Sequence, residues 1–282
     1  ENVVYDNYDG IVGSNVNRNR VYHNSNIGIR ASGLVQGNTV YSNSVGIRLA
    51  GGFSTPNVAS NNVVYANTTT GILVGPSPNY QIANNTVYQP TGDAIRFEGD
   101  AGIGTIGVTT NISLRNNVLW AQAGYGLVVP ASAERGLVSD YNVFFGTGKL
   151  GIWQGREFID ATAWFYETGQ DLHSQIANPL LVNPAGPDGI IGYSNALAAD
   201  RGLDDDFHVL AGSPVIDRGH PNDPYYAEPS PNGNRIDIGA YGNTSQATLS
   251  AVQGVRLLTP EPLQKIQVGQ QVAINWQSSG LT

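Results

Sequence analysis

The residues with the most evident chemical potential cluster around Arg96, with Asp93, Glu98 and Asp100 within four positions of it. A guanidinium among carboxylates suits a uronate lyase: positive charge, often aided by Ca2+, offsets the sugar acid while a base removes the C5 proton. Paired carboxylates would instead suit a glycosidase, their separation deciding inversion or retention. The catalytic expectation therefore falls on Arg96, Glu98 and Asp93. The same groups would equally make a surface ion-pair cluster on a strand, which contributes little to stability.

A second candidate is the run Asp204-Asp205-Asp206, with Asp200 and His208 nearby. Oxygen donors at this density can hold Ca2+, although the spacing is not that of an EF-hand loop, and turn capping is the alternative. Tyr225 and Tyr226, in a Pro-rich loop, could stack on a sugar ring or pack down locally. The four histidines, His23, His173, His208 and His220, fall in separate segments without i, i+4 pairing, which argues against zinc. Ser213 lies in Gly-Ser-Pro rather than a nucleophile elbow.

These residues need elements to position them, and a repeat supplies those elements. The phrase Asn-x-hydrophobic-aromatic recurs as Asn2–Tyr5, Asn19–Tyr22, Asn38–Tyr41, Asn62–Tyr65, Asn85–Tyr88, Asn117–Trp120 and Asn142–Phe145. Successive aromatics are 17, 19, 24, 23, 32 and 25 residues apart, so short fixed strands alternate with loops of variable length. A second phrase follows as Gly10-Ile11, Gly28-Ile29, Gly46-Ile47, Gly71-Ile72, Ala94-Ile95, Gly126-Leu127 and Gly151-Ile152. Period-two alternation with no helical period predicts a β-solenoid with an inward Ile column. Two asparagine columns, one led by Asn7, Asn24, Asn43 and Asn67 and one by Asn19, Asn38 and Asn62, are expected to stack at its corners. Asn tolerates left-handed backbone there, and its amide can bond to the next coil. From Phe158 to Gly169 the composition changes and predicts one short helix.

Composition narrows the function classes. A formal net charge of −8 and a pI near 4.8 argue against nucleic acid as a partner. There is no cysteine, which removes disulfides, thiolate metal sites and a cysteine nucleophile. No apolar run is long enough to span a bilayer.

Residues 206–219, Asp-Phe-His-Val-Leu-Ala-Gly-Ser-Pro-Val-Ile-Asp-Arg-Gly, and 235–242, Arg-Ile-Asp-Ile-Gly-Ala-Tyr-Gly, resemble the closing phrase of bacterial β-helix repeat proteins of the pectin-lyase-like superfamily. The resemblance covers roughly residues 1–247 and implies an all-β chain, a right-handed parallel β-helix, in a secreted or cell-surface setting. It transfers no activity, because the group includes lyases, hydrolases, epimerases and proteins of unknown role. In its enzymes the site lies on the outer face of one stacked sheet. Alternation from the Ile column makes that outward stripe Arg30, Arg48, Leu73, Arg96, Val128 and Trp153, expected to be walled by loops after residues 49, 74 and 97. Arg30, Arg48 and Trp153, with Tyr225 and Tyr226, are thus the expected carbohydrate contacts. Lys149 and Lys265 are the chain's lysines, so the lysine base of some lyases of this fold is missing and arginine would have to serve.

The expected organisation is a β-helix over 1–250, closed by a capping segment at about 158–250. Asp217, Arg218, Arg235 and Asp237 are expected to tie that segment to the solenoid. Residues 251–282 resemble the linker and first strands of an immunoglobulin-like module, an incomplete sandwich. Full-pattern coils from residue 1 and the missing strands predict a native chain longer at both ends, or self-association through uncapped solenoid ends. Two functions remain open: a structural or adhesive scaffold contacting polysaccharide or cell-surface matrix, and a polysaccharide-active domain, with Ca2+ the one cofactor its acidic residues suggest.

Overall fold

The computed structural model describes residues 1–49, 51, 57–76, 78–99, 109–146 and 149–281. The chain is a right-handed parallel β-helix whose coils present three faces. The first, the aromatic face, stacks eight parallel strands among the described residues, including Arg20–Tyr22, Thr39–Tyr41, Val63–Tyr65, Thr86–Gln89, Val118–Ala121 and Val143–Gly146. The second, the arginine face, carries Val45–Leu49, Thr70–Val74, Asp93–Phe97, Leu127–Val129 and Gly151–Trp153. The third carries Asn57–Ser60, Tyr80–Ala83, Ser113–Arg115 and Val138–Asp140. The long strand Ile27–Gln36 pairs with strands of both the second and third faces, which joins them into one sheet.

Register follows the repeat. Val21, Val40, Val64, Val87, Leu119 and Phe144 are successive Cα partners, as are Ile29, Ile47, Ile72, Ile95 and Leu127. These columns meet Val35, Ala59, Ile82 and Leu114 of the third face in one buried core. Stacking like on like lets each coil cover the apolar face of the one before it.

Both asparagine columns are continuous ladders. In the first, the backbone N–H of Asn38, Asn62, Asn85 and Asn117 donates to the side-chain oxygen of the next rung at 3.0, 3.1, 3.0 and 3.0 Å. The side-chain amides repeat the link at 2.9–3.0 Å. The second runs Asn7, Asn24, Asn43, Asn67 and then passes to Gln89, whose Oε1 accepts from Asn67 at 3.0 Å. The left-handed residue at these corners is not the rung itself, as expected from sequence, but the residue before it: Arg18, Asn61, Asn84 and Asn116 in one column, His23, Ser42 and Ala66 in the other. The rung asparagine is left free to align its amide with the ladder.

The glycine column exists for the same corner. A Cβ on Gly46 would lie 2.6 Å from the Gly71 carbonyl oxygen and 2.7 Å from both Asn67 Nδ2 and Val64 Cγ1. Gly46→Ala is therefore expected to cost about 2–3 kcal/mol by overpacking, read as a lower urea midpoint at unchanged slope. A midpoint equal to wild type would mean that the ladder gives way freely.

The C-terminal end of the coil stack is plugged. Strand Arg156–Phe158 turns back antiparallel on Gly151–Trp153, and the helix Ala161–Thr168 follows, its N-terminus capped by the Asp160 side chain and its C-terminus closed by left-handed Gly169. Helix residue Trp164 is fully buried, and its indole N–H donates to Asp171 at 2.9 Å. Asp171 also accepts from Ser139, Asn142 and Ser174, which terminates the first ladder.

From about residue 178 the chain runs back along the outside of the aromatic face. Tyr22, Tyr41 and Tyr65 stack at 4.8–5.0 Å between ring centres and are covered by Tyr193, Phe207 and Ala240. Val118 and Val143 are covered by Val215 and Ile238. Strand Gly254–Thr259 then pairs antiparallel with Asn275–Ser279 as a separate two-stranded ribbon, on which Val255, Leu257, Val268, Ile274 and Trp276 are exposed.

Candidate functional site

The arginine face positions Arg30, Arg48 and Arg96 on its outer side, in register through Leu73. Each is ion-paired. Arg30 meets Asp9 at 3.0 Å, while Arg48 grips Glu98 with two bonds of 3.2 and 2.8 Å. Arg96 holds Asp93, with Nε to Oδ2 at 2.7 Å. The other Asp93 oxygen accepts from the Tyr125 backbone N–H at 2.9 Å. Glu98 therefore serves Arg48, two coils away, rather than its sequence neighbour Arg96. Asp93, whose side chain is 8% exposed, is tied on both oxygens. A proton-abstracting base needs a lone pair aimed at open space, and the strand geometry points both carboxylates at arginines instead.

Asp100, and parts of the loops expected to wall this face (residues 50, 52–56, 77 and 100–108), lie outside the described residues. Clefts of about 340, 520 and 790 Å3 are lined by residues elsewhere.

Trp153 requires a correction. It pairs with Val129, an inward position, whereas Ile152 pairs with Val128 in the outward stripe. The phrase Gly151-Ile152 is one residue out of step with Gly126-Leu127, and a one-residue slip exchanges the faces of a strand. Gly151 occupies the inward slot, where a Cβ would meet Trp164 at 2.9 Å, so the helix tryptophan fills the space the column's side chain gives up. Trp153 packs edge-on against Trp164 instead of joining the arginines.

The remaining candidates are not brought to this face. Tyr225 and Tyr226 tilt against one another at 4.7 Å, with Tyr226 81% exposed. They follow Asp223, which binds Arg115 of the third face at 2.7 Å. In the acidic run, Asp205 accepts from the Gly192 N–H at 2.7 Å, Asp206 bonds His208 Nδ1 at 2.6 Å, and Asp204 lies against the Gly186 turn. Burial pushes the Asp205 carboxyl up to about 6, with the Asp204 and Asp188 charges adding to the effect. Among the described residues no three His, Asp or Glu side chains are grouped to hold a metal.

Sequence reasoning passed over residues that carry the returning segment. Asn61, Asn84 and Asn116, the left-handed partners of the rungs, point outward and bind it: Asn61 donates to the Ala240 and Gly242 carbonyls, Asn84 to that of Asp237, and Asn116 to the Asp223 carboxylate. Their signal was the Asn-Asn doublet at 61–62, 84–85 and 116–117. Asp200 was missed as an anchor; it takes Arg20 at 2.5 Å and the Tyr41 hydroxyl at 2.8 Å.

Fold and faces together define a parallel β-helix protein of the pectin-lyase-like class. A family model described as "Periplasmic copper-binding protein (NosD)" matches residues 1–149, more than half of the chain, and the chain belongs to that family. This places it outside the cytoplasm, and no helix among the described residues is long and apolar enough to cross a membrane. No curated protein and no solved structure matches the chain.

The residues present do not fit copper. Soft copper sites draw on thiolate, thioether and grouped imidazole, and the chain has no Cys or Met. Its four imidazoles face separate carboxylates, Asp6, Asp140 and Asp206 at 2.5–2.7 Å and, for His220, Asp223 at 3.8 Å. His173 and His220 flank one tyrosine, Tyr141, but among the described residues no metal-holding group forms.

Proposed function

We propose that this chain is a rigid, non-catalytic scaffold of a surface or matrix assembly, presenting its arginine face to polysaccharide or cell-surface matrix. The observation that carries the proposal is the mutual neutralisation of that face: Asp9, Glu98 and Asp93 are each committed to an arginine. The ribbon of Gly254–Thr259 and Asn275–Ser279 is read in the same proposal as the opening hairpin of an Ig-like surface module, the kind of neighbour a spacer would carry.

A second reading keeps the face as a polysaccharide-active site, with Arg96, Glu98 and Asp93 as machinery and Ca2+ at Asp204–Asp206. It is favoured by the part-exposed guanidinium edges of Arg30 and Arg96, 38% and 41% exposed, which could meet uronates. Assay of the intact protein on a panel of neutral and acidic polysaccharides, with and without Ca2+, separates the two. The scaffold reading expects no turnover on any polymer. It also expects Arg96→Ala to cost about 1–3 kcal/mol of stability, because Asp93 is left buried without its partner. Turnover that Arg96→Ala abolishes would overturn it.

A further inference from the structure

Where the ribbon meets the coil stack, His173 lies between two carboxylates from different parts of the chain. Its Nδ1 is 2.7 Å from Asp140 Oδ2, on the last strand of the third face, and its Nε2 is 3.0 Å from Glu261 Oε2, just beyond the first ribbon strand. The backbone N–H of His173 also donates to Asp140, at 2.7 Å. The ring lies flat on Tyr141, 4.6 Å between centres and 6° from parallel. On Tyr141 itself, His220 packs edge-on at 5.1 Å, and the Arg235 guanidinium stands 5.4 Å from the ring centre.

We propose that His173 is a proton-operated clasp, holding the C-terminal ribbon against the end of the β-helix when its imidazole is charged and releasing it when neutral. Only a charged ring makes both contacts as hydrogen bonds to ionised carboxylates. Ionised carboxylates only accept, so bonds at both ring nitrogens need two N–H donors, which only imidazolium has. A neutral ring keeps one bond. Asp140 holds the Nδ1 side and is itself fixed by the His173 backbone N–H, so the proton that leaves is on Nε2. A lone pair then faces the Glu261 carboxylate across 3.0 Å, and attraction becomes repulsion. Histidine is the side chain whose charge ordinarily changes between about pH 5 and 8.

The other contacts of this seam do not depend on that proton. The Tyr166 hydroxyl donates to the Leu263 carbonyl, the Lys265 ammonium sits 4.0 Å over the Tyr166 ring, and Arg256 reaches the Asp217 carbonyl at 3.5 Å. They keep the ribbon near its dock while the clasp sets how much of the time it is seated. On the far flank, Asp217 faces Arg256, Arg218 and Arg235, and burial raises its carboxyl. Asp237, whose Oδ1 accepts from the Asp217 N–H, is pushed up to about 8 by burial, and the test separates these carboxyls from the imidazole.

The chain has no cysteine, so spin labels attach only where cysteines are introduced. Arg135→Cys and Gln271→Cys, both exposed, report the distance from coil stack to ribbon tip. In the intact protein at pH 5.5 a single narrow distance distribution is expected. At pH 8.5 the ratio of seated to unseated ribbon should fall roughly two- to fivefold, the scale of a partly exposed ion pair. In His173→Gln and in Glu261→Gln the distribution should no longer change with pH, with circular dichroism confirming that the coils persist. A wild-type distribution identical at both pH values overturns the clasp. So does a pH response that survives in His173→Gln, which would assign it to the buried carboxyls Asp217 and Asp237.

Discussion

Asn85→Ala is expected to destabilise the protein by about 3–5 kcal/mol, more than any single change on the arginine face. Asn85 is wholly buried in the middle of the first ladder. Its Oδ1 accepts from the Asn62 backbone N–H at 3.1 Å and from the Asn62 side chain at 2.9 Å. Its amide donates to the Ala59 carbonyl at 3.0 Å and to Asn117 Oδ1 at 2.9 Å. Alanine leaves two donors and a carbonyl of neighbouring coils unpaired, each costing about 1–3 kcal/mol when water cannot reach it, and it opens a gap at the corner. Asn2→Ala, at the exposed first rung, should cost under about 1 kcal/mol because solvent replaces the lost bonds. Urea unfolding of both variants checks the contrast. Equal losses would show that the ladder is not the buried element that locks coil to coil.

That ladder was also the part of the fold most legible in the sequence. Asn19, Asn38, Asn62, Asn85, Asn117 and Asn142 recur at a fixed offset from a buried hydrophobic, and a repeat shows a stack directly. The pattern failed where the physics stopped repeating. Gln89 continues the second ladder because its longer arm reaches the rung position from one residue earlier in the repeat, and no asparagine marks it. Gly151 resembles another Gly-Ile phrase, yet it sits one residue out of step because a helix tryptophan from outside the repeat needs the volume.

The candidate site was legible in composition and opaque in pairing. Arg96 and Glu98 are two apart in the sequence, Glu98 just past the end of the strand Asp93–Phe97, and the alternation of a strand made them look like partners on one face. In the stack, Arg48 reaches Glu98 bidentately and Arg96 turns to Asp93, three residues back. The returning segment was harder still. Its contacts join residues such as Asn61 and Ala240, 179 positions apart, and no local periodicity encodes them. Only the Asn doublets mark the coils on which it docks.

The docked segment should also make the protein tighten in acid, and Asp237 carries the largest share. Asp237 is 4% exposed, and its Oδ1 accepts from the Asp217 N–H at 2.8 Å. Its own N–H donates to Glu228, which also receives the Asn243 N–H at 2.7 Å. Burial, with the charges of Glu228 and Asp217 adding to it, pushes the Asp237 carboxyl from the usual 3.8 up to about 8. A carboxyl raised in the folded state binds its proton more tightly there than in the unfolded chain. Its stabilisation is complete below about pH 4 and is lost as pH rises through about 8. At about 1.36 kcal/mol per pH unit the ceiling is about 5–6 kcal/mol, and relaxation around the charged form should leave about 2–4. Asp205, raised to about 6 by burial in the same segment, acts with the same sign. Wild-type stability should therefore fall between pH 5 and pH 8.5, and Asp237→Asn, which keeps an acceptor but cannot ionise, should remove most of the slope and exceed wild type at pH 8.5. Melting curves for the two proteins that stay parallel across this window would sink the assignment. The loss would then lie with groups outside the docked phrase.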